Sequence, residues 1–317
     1  MLENCNNHSP SKRLYFDRKS SSNGTQNLEE YQQYFLKATE ANKVLIIRGF
    51  GDRPGGIGKT CTTQKVLEFL EYHKGKGAPK PYCQLQGQCA AVKEHDDLLG
   101  EFRKVPNERT YIANVLGFPL MHSPLLQKEI AFPNFLNGLD LLQHTAESAE
   151  DFHKNRTKAK APVDCGFAVV SMQGSFTTFH LDKLSTFVVL SEGFKVWAFF
   201  PDSEKNRKVR EKWRESDGLS VFEDCFVLDS HPGDLVLIPC GWHHAVYTVT
   251  DSLMLGGHYL VPEQLQTNLA VATRLKTCAK GSRNDSLKEL REYFSALNKV
   301  QMFRALTDCK ECKTIYP

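Results

Sequence analysis

The chain has 317 residues, of which 41% are hydrophobic and 24% charged, so it holds enough apolar material for one large folded domain or two ordinary ones. A formal net charge of +3 gives no argument for nucleic-acid or membrane binding, and no apolar run is long enough to span a bilayer.

Residues 1–26 are polar and read as a disordered tail. They lack the apolar centre of a secretory signal, which points to an intracellular protein. The ten cysteines lie without framework spacing and are expected as reduced thiols. Residues 27–162 read as a helical and mixed region packing on a later core. It opens with an amphipathic helix over 27–42, followed by a strand in KVLIIRGF, Lys43–Phe50.

The next stretch, RPGGIGKTCTTQ, has the look of a phosphate-binding loop between a strand and a helical run, QKVLEFLEYH. The strict pattern needs a glycine five residues before Gly58-Lys59-Thr60, and Arg53 stands there instead. A mononucleotide fold would also continue with alternating strands and helices, and the chain after residue 80 does not. The loop Gly55–Thr60 is therefore read as a plain glycine-rich connection. TYIANVLGF is consistent with a strand or turn segment. FLNGLDLLQHTAESAEDFH is partly helical in pattern, and HKNRTKAKA reads as a solvated loop.

From residue 163 to 262 the texture changes to short β-prone runs punctuated by Gly, Pro, Asp and Ser, the rhythm of a sandwich or barrel. A charged helical insert interrupts it over 203–216. Residues 263–317 return to helical spacing, with a capping box at Ser286-x-x-Glu289. The expectation is a mainly β core with flanking helices. Cys309-x-x-Cys312 has metal-ligand spacing, with Cys278 upstream and His258 as a possible fourth ligand. A structural zinc needs four ligands, and free thiols are the favoured reading.

Two segments carry chemistry: SFTTFHLDKLSTF and PGDLVLIPCGWHHAV. In a strand, residues two apart share a face, so His180 and Asp182 converge. A histidine from a distant strand would complete a two-histidine, one-carboxylate triad of the kind that holds non-haem iron. His243 and His244 are both candidates, and alternation puts them on opposite faces without saying which looks inward.

These segments resemble the JmjC (jumonji C) family of Fe(II)- and 2-oxoglutarate-dependent oxygenases. His180-Leu181-Asp182 matches the family's H-x-D motif. Gly233-Asp234, Pro239, Gly241-Trp242, His244 and Val246 match its G-D-x-x-x-x-P-x-G-W-x-H-x-V segment. The resemblance covers about residues 163–260 and takes in KVLIIRGF as the family's opening strand. It implies a double-stranded β-helix, the cupin-like jelly roll, with N- and C-terminal helical additions. It also implies Fe(2+) on His180, Asp182 and His244, with 2-oxoglutarate as cosubstrate and O2 as oxidant. Lys195, in Gly193-Phe194-Lys195-Val196-Trp197, matches the cation for the distal carboxylate of 2-oxoglutarate, and Thr177 matches the hydroxyl that shares it. Where family members often carry Tyr or Asn before that lysine, this chain has Phe187 and Val188, and His258 stands where they often carry Asn. The resemblance implies action on a protein or peptide, in the first instance demethylation of a lysine, with a histone tail as candidate. The nucleus is favoured over the cytoplasm. Hydroxylation without demethylation and a non-catalytic scaffold are the alternatives.

Overall fold

The computed structural model describes residues 13–16, 28–52, 61–73, 82–85, 88–90, 98–119, 136, 166–182 and 184–278. The loop Gly55–Thr60, the basic stretch at 153–161, the 286–289 capping box and Cys309/Cys312 fall outside these residues, as does nearly all of the FLNGLDLLQH segment.

Helix α1, Leu28–Glu40, buries Tyr31, Phe35 and Ala38, spaced four and three residues apart on one stripe. It leads into β2, Val44–Ile47, whose four residues are all buried. Such a continuous apolar run marks a strand covered on both faces. β1, Arg13–Phe16, pairs in parallel with β2. This corrects the expectation of a tail without structure over 1–26. The edge of β2 offers a row of backbone donors and acceptors, and a four-residue segment is enough to use them.

Helix α2, Thr63–His73, begins on a carboxylate from far along the chain. The Thr63 N–H and hydroxyl both donate to Glu192, at 2.9 and 2.5 Å. Strands β3, Tyr82–Leu85, and β4, Gln88–Ala90, helix α3, Leu98–Arg103, and strand β5, Ala113–Pro119, follow. The remaining strands are β6, Gly166–Ser171, β7, Phe176–Leu181, β8, Ser185–Phe200, β9, Phe226–Ser230, β10, Leu235–Ile238, and β11, His243–Tyr259. The charged insert forms α4, Glu204–Lys212, capped by Ser203, which accepts from the Asn206 N–H. Helix α5, Leu265–Cys278, ends the described chain.

β8 and β11 are long antiparallel neighbours, and each serves two layers. The first half of β8 pairs with β10, and the second half of β11 pairs with β6. The second half of β8 pairs with β9, and the first half of β11 pairs with β7. Register shifts at Thr248, Thr250 and Leu253 of β11 mark where the pair changes layer. Gly193 makes the matching bend in β8. Its φ is +89°, and a Cβ there would stand 2.2 Å from the Asp251 carbonyl oxygen. The larger layer continues through β6 to β5, β3 and β4 on one side and through β10 to β2 and β1 on the other. The sheet thus runs well upstream of residue 163, where the sequence texture changes.

Between the layers lies a core that includes Val169, Trp197, Phe199, Ile238, Val246 and Met254. The N-terminal helices cover the outside of the larger layer. The α4 insert covers the outside of the smaller one, over Phe179, Phe200 and Phe222. This is the jelly-roll arrangement expected from the sequence. The turn into β10 is fixed by buried Asp234, which accepts from the Gly49 and His231 N–H groups at 3.1 and 2.9 Å and pairs with Arg48. Cys61 and Cys240 are in no disulfide, but Cys225 is disulfide-bonded, against the expectation of reduced thiols throughout. Disulfide pairing depends on separation in the fold, which spacing along the chain does not reveal.

Candidate metal centre

β7 and the start of β11 lie side by side, with His180 opposite His244. Two residues further along β11, Val246 faces Thr177, three residues back along β7. The extra residue in β7 is a bulge. In a regular strand Thr177 and His180 would point to opposite faces; the bulge turns both into the interior. Both line one cavity, together with Asp182, Lys195 and His244. The ligand atoms of His180, Asp182 and His244 all lie within 4.8 Å of one another. His244 Nε2 is 3.9 Å from Asp182 Oδ2, and the two imidazole centroids are 4.2 Å apart.

The backbone sets the imidazole tautomers. His180 Nδ1 is 2.6 Å from the Thr178 carbonyl oxygen, and His244 Nδ1 is 3.3 Å from that of Trp242. A carbonyl only accepts, so Nδ1 carries the proton in each ring and Nε2 presents its lone pair. Burial, with His180 alongside, lowers the His244 pKa to about 4, so this ring is neutral at physiological pH. Burial acts to raise the Asp182 pKa, but charge attraction to His244 and His180, as these rings take up protons on acidification, lowers it on balance. Two imidazole nitrogens and one carboxylate oxygen, converging from a single side, form a donor set that suits a divalent transition metal.

His243 points the other way. Its ring stacks on Phe179 at 5.0 Å, and neither nitrogen has a hydrogen-bond partner. Burial drives its pKa down to about 3. Register therefore separates the two histidines that alternation left open, bringing His244 and not His243 to Asp182.

Lys195 is 1% exposed, and its ammonium donates to the hydroxyls of Ser171 and Thr248 at 2.8 and 3.0 Å. No carboxylate pairs with it among the described residues. Burial lowers its pKa to about 7. A polar chain continues from it: Ser171 donates to Asn114 Oδ1 at 2.7 Å, and Asn114 Nδ2 donates to Thr177 at 2.8 Å. Asn114, Ser171 and Thr248 are buried parts of the site that the sequence reading did not identify. They come from three different strands, and no local spacing signals them. Val188 lines the cavity with methyl groups where related sequences often place a polar residue, while Phe187 packs into the outer core. The buried cation has only neutral partners, which leaves room for an anion, and the neighbouring donor set leaves room for a metal. The residues present therefore fit both groups.

Residues 145–267 match the family model of the JmjC domain. The JmjC domain-containing histone demethylation protein 1 of Kluyveromyces lactis is 30% identical over 174 residues, covering 52% of this chain and 36% of that protein. The protein of the same name from Caenorhabditis briggsae is 30% identical over 233 residues, covering 67% of this chain and 21% of its own length. The chain thus spans only a minor part of these relatives. A solved ribosomal oxygenase from Escherichia coli, in complex with cobalt and succinic acid, aligns over 91% of this chain and 69% of its own. Its TM-score is 0.39 and its identity 14%, too loose a likeness to support an argument.

Proposed function

We propose that this chain is an Fe(II)- and 2-oxoglutarate-dependent oxygenase acting on a protein side chain, with N-methyl-lysine as its substrate and a histone tail as its source. One observation carries the reading. A triad of two imidazoles and a carboxylate shares a single cavity with a buried lysine that has no anionic partner among the described residues. A dianionic cosubstrate fits this pairing, since its distal carboxylate would supply the charge that Lys195 lacks.

His180, Asp182 and His244 hold the metal through Nε2, one carboxylate oxygen and Nε2. Lys195 and Thr177 receive the distal carboxylate. Ser171 and Thr248 keep the ammonium pointed inward, and Asn114 ties Thr177 to Ser171. Trp197, Val188, Val246 and Met254 exclude water. When bound, iron and cosubstrate supply the activation of O2 that hydroxylates a C–H bond, an N-methyl group then leaving as formaldehyde. The lysine substrate and a nuclear site of action rest on the names of the relatives.

The test is turnover of 2-oxoglutarate to succinate with Fe(II), ascorbate and a pool of methylated peptides, in the wild type and in His180→Ala. The expected result is succinate with matching formaldehyde, both lost in the variant. Succinate without formaldehyde would leave hydroxylation as the reaction. Equal succinate from wild type and variant would refute the site.

A further inference from the structure

The insert after β8 concentrates positive charge. From Glu204 to Arg214 it carries six lysines and arginines against two glutamates, a local charge of +4 in a chain whose net charge is +3. Helix α4 sorts these cations by face. Arg210 turns to the core side, over Phe179 and Trp213. Arg207 pairs with Asp202 at 3.4 Å. Lys205, Lys208 and Lys212 stand at helical spacing on another face, where they edge a groove of about 350 Å³. Val209, Trp213 and Val221 give the groove its apolar lining, and Val221 is 44% exposed. Asp217, the acidic residue in the lining, accepts from the Arg214 N–H at 2.8 Å. Lys205 pairs with Glu223 at 2.9 Å and Lys208 with Glu204 at 2.7 Å, both in solvent, and such exposed pairs hold weakly. No acidic group pairs with Lys212 among the described residues.

We propose that this groove is a docking site for an acidic peptide segment. One large apolar side chain of the segment sits on Val209, Trp213 and Val221, and flanking carboxylates meet Lys205, Lys208 and Lys212. An apolar centre with a charged rim is the usual anatomy of a protein contact. A nucleic acid fits less well. Arginine grips phosphate in a planar fork, and α4 commits Arg207 and Arg210 to other partners. Bases stack on open aromatic faces, whereas Arg210 stands 5.2 Å over the Trp213 ring, and the indole N–H donates to the Gly218 carbonyl at 2.6 Å. A lysine-rich segment is repelled here, so the groove and the His180–Asp182–His244 cavity receive different segments. The groove shares no lining residue with that cavity, and the proposal stands independently of the metal site.

The experiment is fluorescence anisotropy of a labelled glutamate-rich peptide with a single central phenylalanine, titrated with the full chain at low and high salt. The wild type is expected to bind, and salt to weaken the complex. Lys208→Glu/Lys212→Glu is expected to weaken it by about tenfold or more. Val221→Asp, and alanine in place of the peptide's phenylalanine, are each expected to weaken it by about fivefold or more. Lys65→Glu, an exposed change on α2, is expected to bind as the wild type does. Thermal unfolding of each variant separates a lost surface from a lost fold. Absence of binding by the wild type would overturn the proposal. So would an equal loss in Lys65→Glu, or undiminished binding of the alanine peptide, either of which reduces the effect to general charge attraction. Tighter binding of a duplex oligonucleotide, lost in Lys208→Glu/Lys212→Glu, would assign the surface to nucleic acid instead.

Discussion

The two faces of the smaller layer carry neighbouring histidines in opposite circumstances. On the inner face, His244 has its Nδ1 on a backbone carbonyl and its Nε2 turned to a carboxylate. On the outer face, His243 lies flat on Phe179 beneath α4 with both nitrogens unpaired. Both are buried and both are neutral, so burial alone does not make a site. What differs is convergence. The inner face collects His180, Asp182, Thr177 and Lys195 in one cavity. The outer face collects aromatic rings, with the Arg210 guanidinium 5.6 Å above Phe179 and 5.2 Å above Trp213. The same strands thus separate chemistry from packing at every second residue.

That division can be broken from either side. The largest effect is expected from His244→Ala, which removes a proposed metal ligand. It should weaken Co(II) binding by more than about 100-fold, beyond the loss of a supporting partner, as read by calorimetric titration. Phe200→Ala acts on the outer face, where Phe200 meets Phe179 and Phe222 edge-on at 5.2 and 5.5 Å. It should cost about 3–5 kcal/mol of stability in denaturant unfolding, while the folded fraction keeps its metal affinity. Lys195→Met should weaken 2-oxoglutarate binding by about 100-fold, the scale of losing one partner of a buried charge pair. It should also raise the melting temperature of the free protein by removing an uncompensated buried cation.

The pH dependence sharpens the same point. In the free protein the Lys195 pKa lies at about 7, lowered by burial from an ordinary 10.5. Below about 7 the lysine is charged in both folded and unfolded chains, and the burial penalty is felt in full. Between about 7 and 10.5 the unfolded chain binds the extra proton, so this lysine's contribution to stability rises with pH. Binding of the dianion runs the other way, because it needs the protonated lysine. Affinity for 2-oxoglutarate should fall about tenfold per pH unit above 7, and this slope should vanish in Lys195→Met. The smallest effect is expected from His243→Phe. It keeps the stack on Phe179 and removes two unpaired polar atoms, so stability should be unchanged or higher by about 1 kcal/mol, with Co(II) affinity as in the wild type.

Much of the inner face is legible in the residues themselves. His180 and Asp182 lie two apart next to a strand end, and the long spaced segment ending at His244 makes the third partner visible. Lys195 is marked by the glycine and tryptophan around it. The choice between His243 and His244 is not legible from alternation, because a period of two assigns faces but no direction. Thr177 is beyond alternation altogether, since a bulge in β7 brings it to the His180 face. Asn114, Ser171 and Thr248 are ordinary polar residues in sequence, and only strand register unites them behind Lys195. Thr186 and His258 meet for the same reason, 72 positions apart. The β1 strand was illegible because its pairing partner, not its own composition, orders it.

The account stands on three side chains sharing one ion. Anaerobic Co(II) titration of the wild type beside His180→Ala and His243→Phe tests this most directly. The prediction is one equivalent bound by the wild type and by His243→Phe, with none bound at comparable concentration by His180→Ala. Undiminished binding in His180→Ala, or loss of binding in His243→Phe with the fold intact, would contradict it.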